Sequence, residues 1–89
     1  MYSPRIAVII QVPKSTEPIK VLIARDKTVG ELIMWLRVHI KMEPKQAIFM
    51  LVGTGVLPAN SATVGEIYDE HKAADGRLYI HTRLENTFG

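Results

Sequence analysis

The sequence contains no cysteine, and that absence excludes disulfides, thiolate metal sites and a thioester-forming nucleophile. Any thioester in its chemistry has to form on a sulfur of another protein. Long hydrophobic runs are also missing. Stretches such as Ile6 to Ile10 and Ala47 to Val52 fall far short of the roughly 18 residues that span a bilayer, so no transmembrane helix is expected. Arg5 precedes only a short apolar stretch with no small-residue cleavage pattern behind it, which argues against a secretory signal and for a cytoplasmic setting. Basic residues form no block: eleven Lys and Arg are scattered among nine acids, leaving a net charge of +2. Phosphate contact asks for a concentrated basic patch, so nucleic acid is not an expected partner.

Sequence signals for catalysis and cofactors are equally sparse. His39, His71 and His81 have neither cysteine partners nor His-x-x-x-His spacing, so no metal site is expected. His71 is expected at the end of a helix, where a cation is favoured. Gly53-Thr54-Gly55 lacks the Lys-Ser/Thr and the length of a phosphate-binding loop and reads as a hairpin turn. Ser3, Ser15 and Ser61 stand in no nucleophile-elbow context. No enzyme and no cofactor are expected.

What is present is an ordinary globular composition, 47% hydrophobic and 22% charged over 89 residues. A single domain of this size buries only about 60 to 65% of its unfolded surface, so its core has to be efficient. Arg5 to Val12 is rich in β-branched residues and ends at Pro13, which reads as a strand. After a turn-forming segment from Pro13 to Pro18, Ile19 to Ala24 reads as a second strand, antiparallel to the first. Thr28-Val-Gly-Glu31 is a capping box. Beyond it Val29, Leu32, Ile33, Leu36 and Ile40 recur at helical spacing up to Pro44, marking a helix whose stripe faces a sheet. Ala47 to Val52 is a continuous apolar run bounded by Gly53 and Gly55, as expected of a central strand buried on both faces. Thr63-Val-Gly-Glu66 repeats the capping box and opens a short helix to about His71. Asp75-Gly76 marks a turn before a strand from Arg77 to Thr82.

The order strand, strand, helix, strand, short helix, strand describes an α+β fold. It permits the ubiquitin-like β-grasp, a four-stranded sheet with one crossover helix and a second short helix, without singling that fold out. Residues 1–83 are the expected domain, and 84–89, without periodicity, an extended mobile C-terminal tail ending in glycine.

Five segments, taken together in order and spacing, carry a family resemblance: Asp26-Lys-Thr-Val-Gly30, Leu57-Pro-Ala-Asn-Ser-Ala-Thr63, Gly65-Glu-Ile-Tyr-Asp-Glu-His-Lys72, Asp75-Gly-Arg-Leu-Tyr-Ile80 and Glu85-Asn-Thr-Phe-Gly89. From Tyr2 to its last residue the chain resembles the GABARAP-type autophagy modifiers. The resemblance implies a ubiquitin-like protein conjugated through Gly89 to phosphatidylethanolamine. It also implies E1-like activating and E2-like conjugating enzymes, and a processing or delipidating cysteine protease. Glycine suits that position because, lacking Cβ, it fits narrow channels and leaves its carbonyl open to thiol and amine. Location on the autophagosome membrane would follow lipidation. The two N-terminal helices that family members carry ahead of the first strand are not found in the sequence.

The resemblance further implies a partner surface for aromatic-x-x-aliphatic motifs. Positions matching Ala7, Ile9, Lys20, Leu22 and Arg77 form the aromatic pocket. Those matching Val21, Ile23, Ala24, Lys27, Leu32, Trp35 and Leu36 form the aliphatic one, with Arg5 and His39 as basic neighbours. The bound peptide would add a strand along Lys20 to Ile23. Strand alternation agrees, since Ala7 and Ile9 face away from Ile6, Val8 and Ile10. Leu32 and Leu36 also fall on the core stripe, and Trp35 fits core margin or pocket lining equally. Met34, Trp35 and Val38 carry the helix's apolar character beyond that stripe. Lys27 stands where the family has an apolar residue, Ala7 and Ala24 stand for prolines, Arg77 for an aromatic and His39 for a more permanent cation. Two alternatives remain: a sibling modifier joined to a protein lysine, whose tail usually ends Trp-Gly, and an unconjugated interaction domain.

Overall fold

β1 (Arg5–Gln11), β2 (Ile19–Ala24), α1 (Val29–His39), β3 (Gln46–Val52), α2 (Val64–His71) and β4 (Leu78–Asn86) follow one another in a computed structural model that describes residues 5–86. The sheet order is β2-β1-β4-β3. β1 and β2 form the expected antiparallel hairpin, β4 runs parallel to β1, and β3 pairs antiparallel with β4. This is the ubiquitin-like β-grasp.

The core lies between the sheet and the two helices. Ile6, Val8 and Ile10 of β1 meet Leu32 and Leu36 of α1, Val64 and Ile67 of α2, and Leu78 and Ile80 of β4 in one buried cluster. The period of two along β1 puts three successive large side chains on one face, and the 3.6-residue period of α1 answers with Val29, Leu32 and Leu36. Thr82, the buried polar side chain, donates its hydroxyl to the Gln11 carbonyl at 2.7 Å, which satisfies it.

Two expectations are corrected. Ala47 to Val52 does not lie inside the sheet: β3 is an edge strand, and β4 takes the place beside β1. The run is apolar on both faces for a local reason. Ile48, Met50 and Val52 point into the core, while Phe49 and Leu51 are half-buried on the outer face in a shallow hollow shared with Leu57. The last strand is also longer than expected, starting at Leu78 and ending at Asn86 instead of Thr82. Leu84, Glu85 and Asn86, expected to open the tail, pair with Ile48, Ala47 and Gln46, because β3 supplies backbone partners along its whole length. Met1 to Pro4 and Thr87 to Gly89 lie outside the described residues.

Both capping boxes form. Thr28 Oγ1 accepts the Glu31 amide at 3.2 Å while the Glu31 carboxylate accepts the Thr28 amide at 3.1 Å, and Thr63 and Glu66 do the same at 3.1 and 3.3 Å. The next free amides at each helix start are satisfied by the segment leading into the other helix. Val29 and Gly30 donate to the carbonyls of Ala62 and Asn60 at 2.9 and 3.0 Å, and Val64 and Gly65 to those of Lys27 and Arg25 at 2.7 and 2.9 Å. The two helix starts thus brace one another.

The amide and then the hydroxyl of Thr28 hold the Glu31 carboxyl below its ordinary value, and Lys27 adds to this. A carboxylate with a depressed folded-state value contributes stability at pH above the ordinary carboxylate range, lost as pH falls through the folded value. Glu31→Gln is therefore expected to lower the denaturant midpoint at neutral pH and to flatten its decline as pH falls through and below the ordinary glutamate range. Urea titrations of both chains from neutral to acid pH measure the difference. Equal slopes for the two would refute it.

Candidate partner-binding edge

β2 is the free edge beyond β1, with a concavity on either side. A groove of about 440 Å³ opens between β2 and α1, lined by Val21, Ile23, Ala24, Leu32 and Trp35, with Arg5, Leu22, Lys27 and Glu31 at its rim. A shallower hollow of about 250 Å³ lies on the outer face of the sheet, between Ala7, Ile9, Lys20, Leu22 and Arg77. Strand geometry makes this pair of hollows: alternate β2 residues point to opposite faces, so Val21 and Ile23 serve the groove while Lys20 and Leu22 serve the hollow.

The structure brings together nearly all the residues singled out in the sequence. Leu36 differs, having 0% exposure; it belongs to the buried core that joins α1 to the sheet. Ile23 and Leu32 are largely buried and form the groove's floor, whereas Trp35 is 39% exposed and forms its wall. His39 stacks on Trp35 with ring centroids 4.7 Å apart, which fixes the indole. Gly89 lies outside the described residues.

Two neighbours escaped the sequence-based expectation. Glu31, besides capping α1, sits on the groove rim 3.6 Å from Lys27 Nζ; the i,i+4 charge spacing was its signal. Tyr79 stands beside Ile9 on the outer face of the sheet and donates its hydroxyl to Asp75. The alternation Arg77, Tyr79, His81 leading into and along β4 was the signal there. The Tyr79 hydroxyl, and next the Arg77 amide, hold the Asp75 carboxyl below its usual range. Asp75 thus anchors Arg77, whose guanidinium lies 3.9 Å away, at the rim of the outer hollow.

A β-grasp domain with a bare edge strand between two hollows has the architecture of the ubiquitin-like proteins. The family model described as "Autophagy protein Atg8 ubiquitin like" matches residues 1–89. Autophagy-related protein 8 of Colletotrichum lindemuthianum is 45% identical over 93 residues, spanning 99% of this chain and 76% of that protein. Its namesake from Mycosarcoma maydis is 47% identical over 70 residues, 79% of this chain and 58% of the other. The crystal structure of Trypanosoma brucei ATG8 superposes with a TM-score of 0.79 at 29% identity, covering 96% of this chain and 77% of that one. The chain belongs to the Atg8 family: it is a ubiquitin-like modifier of autophagy and not an enzyme.

Proposed function

We propose that this modifier is conjugated through Gly89 to phosphatidylethanolamine on autophagosomal membranes, and that its β2 edge recruits cargo receptors or adaptors bearing aromatic-x-x-aliphatic motifs. The observation that carries the recruiting half is the pair of hollows flanking the bare β2 edge. A peptide strand laid along that edge would gain main-chain hydrogen bonds there and specificity from the side chains it seats on either face. Arg5, Lys20 and Lys27 around the hollows favour motifs with acidic neighbours.

Family membership and the tail Glu85-Asn-Thr-Phe-Gly89 support the conjugating half. A carboxylate is a poor electrophile, so an E1-like enzyme first adenylates Gly89 with ATP. The acyl group then passes to the sulfurs of the activating and E2-like enzymes, sulfurs this cysteine-free chain cannot supply. The lipid amine attacks the thioester and releases the enzyme thiol, and a cysteine protease exposes the glycine beforehand or cleaves the lipid amide afterwards. The protein would begin in the cytoplasm and end on the autophagosome surface.

Incubation with activating and conjugating enzymes, ATP and phosphatidylethanolamine liposomes, beside a Gly89→Ala control, tests this. A lipid-dependent product seen only with Gly89 is expected. Linkage to a protein lysine would point to the sibling modifier instead, and no product despite active enzymes to an unconjugated interaction domain.

A further inference from the structure

The groove between β2 and α1 is not wholly apolar. Beyond the last residue of β2, Lys27 and Glu31 stand on its rim, with Lys27 Nζ 3.6 Å from Glu31 Oε2 and both side chains more than half exposed. The two are unequal partners. Glu31 is pinned, because its Oε1 accepts the amide and the hydroxyl of Thr28 at 3.1 and 3.2 Å as part of the helix cap. Lys27 is anchored only through its backbone, whose amide donates to the Ala24 carbonyl at 3.2 Å. Its flexible four-carbon stem lets the ammonium swing.

The geometry of the edge fixes which ligand side chain arrives there. Successive side chains of an extended strand point to opposite faces, so an aromatic residue and an aliphatic one three places on enter hollows on opposite faces. The two hollows beside β2 are placed in that way. The outer hollow lies at Lys20 to Leu22, whereas the groove reaches on to Ala24 and Lys27. A motif read from aromatic to aliphatic therefore runs parallel to β2, and past its aliphatic residue it approaches Lys27. The first residue beyond points to the outer face, the one that Arg5 shares with Ala7 and Ile9 at the end of β1 paired with Ala24. The second points to the helix face, where Lys27 leads into α1.

We infer that Lys27 is a specificity-determining residue that selects a carboxylate two places after the aliphatic residue, so that this edge prefers aromatic-x-x-aliphatic-x-acid peptides. The inference rests on the proposed docking of such motifs along β2 and names the class that docks best. An incoming carboxylate draws the Lys27 ammonium away from Glu31, which the Thr28 cap keeps in place. Glu31 competes for the same ammonium and repels the ligand's charge, so it sets how large the preference is. A neutral residue at that position leaves the Lys27–Glu31 pair intact and gains nothing, and a basic one meets the ammonium and is disfavoured. Because the exchange takes place at an exposed rim, it is worth a few-fold in affinity and weakens with salt. It sorts motifs from one another and leaves docking itself to the hollows and the strand edge.

Fluorescence polarisation with three labelled peptides tests this on the full chain. The first carries Phe-Gln-Gln-Leu-Gln-Glu, the second ends in Gln instead of Glu, and the third has the Glu moved one place earlier, directly after Leu. At low salt the first is expected to bind about two- to fivefold more tightly than the second, the range of an exposed ion pair, and the ratio is expected to shrink as salt is raised. Lys27→Met, checked for fold by circular dichroism, is expected to bring that ratio to about one while the neutral peptide binds as before or better. Glu31→Gln, which keeps a side chain able to close the capping box, is expected to widen the ratio by about a further twofold. The third peptide is expected to be indifferent to Lys27→Met, since its acid points to the face of Arg5. No preference for Glu over Gln, a preference that survives Lys27→Met, or a Lys27-dependent gain as large for the shifted acid would overturn the inference. The neutral peptide reports on the docking reading separately: binding by none of the three would overturn that reading and the inference with it, whereas equal binding by all three would overturn the inference alone.

Discussion

Leu36→Ala is expected to lower the free energy of unfolding by about 3 to 4 kcal/mol, within the range for truncating a fully buried leucine. Leu36 has no exposed surface and is among the largest wholly buried side chains, packed in the core cluster between α1 and the sheet. Alanine removes its apolar contacts and leaves a void that the surrounding β-branched side chains cannot close without leaving their rotamers. Against the 5 to 15 kcal/mol typical of whole domains, that is roughly a third of the total. In a domain of this size it lowers the melting temperature by more than about 10 °C. Guanidinium unfolding followed by circular dichroism measures it, and a loss under about 1 kcal/mol would mean that the helix does not depend on this contact. Trp35→Ala supplies the contrast. Trp35 is the groove's exposed wall, so its removal is expected to weaken binding of an aromatic-x-x-aliphatic peptide at least about tenfold with a much smaller loss of stability. A Leu36→Ala chain that remains folded is expected to keep most of that affinity.

The two residues also show where the sequence was legible and where it was not. Both stand on a helix whose apolar residues extend beyond one stripe, and apolar content alone cannot tell which one faces inward. Helical rotation decides, placing Leu36 in line with Val29 and Leu32. Local signals were sufficient elsewhere. The two Thr-x-x-Glu boxes located both helix starts, and the alternation along Arg5 to Gln11 divided core from outer face, because each depends on neighbours within four residues. The order of strands in the sheet is a long-range property. Ala47 to Val52 looked like a central strand because its outer side chains are apolar, yet that character reflects a loop residue, Leu57, beside Phe49 and Leu51. The extension of β4 to Asn86 was hidden for the same reason: Leu84 to Asn86 carry no strand pattern of their own, and their order is supplied by β3 across the ladder. The partner edge was traced through resemblance to related modifiers, and composition alone would have shown only an apolar excess on α1 and β1.

The tetrapeptide Thr-Val-Gly-Glu occurs twice, at 28–31 and 63–66, and the same substitution is expected to have opposite effects in the two copies. Each glycine sits in the first turn of its helix behind the same capping box, so local propensity favours alanine at both by about 0.5 to 1 kcal/mol. Tertiary surroundings separate them. A Cβ on Gly30 would find Asn60 O at 3.4 Å, an ordinary contact. A Cβ on Gly65 would meet Cβ, Nε and the carbonyl oxygen of Arg25, all at 3.1 Å. Arg25 cannot yield freely: its carbonyl accepts the Gly65 amide at 2.9 Å and its guanidinium holds Asp69 at 2.7 Å. Displacing it strains the hydrogen bonds by which the two helix starts brace each other. Gly65→Ala is therefore expected to destabilise by about 1 to 3 kcal/mol, the usual range for overpacking, while Gly30→Ala is neutral or stabilising by up to about 1 kcal/mol. Adding Arg25→Ala to Gly65→Ala relieves only the Nε contact and keeps those to Cβ and the carbonyl oxygen, so it should recover at most a small part of the loss. Denaturant midpoints of the four chains measure this, and equal responses at the two glycines would show that the helix starts behave as independent local motifs.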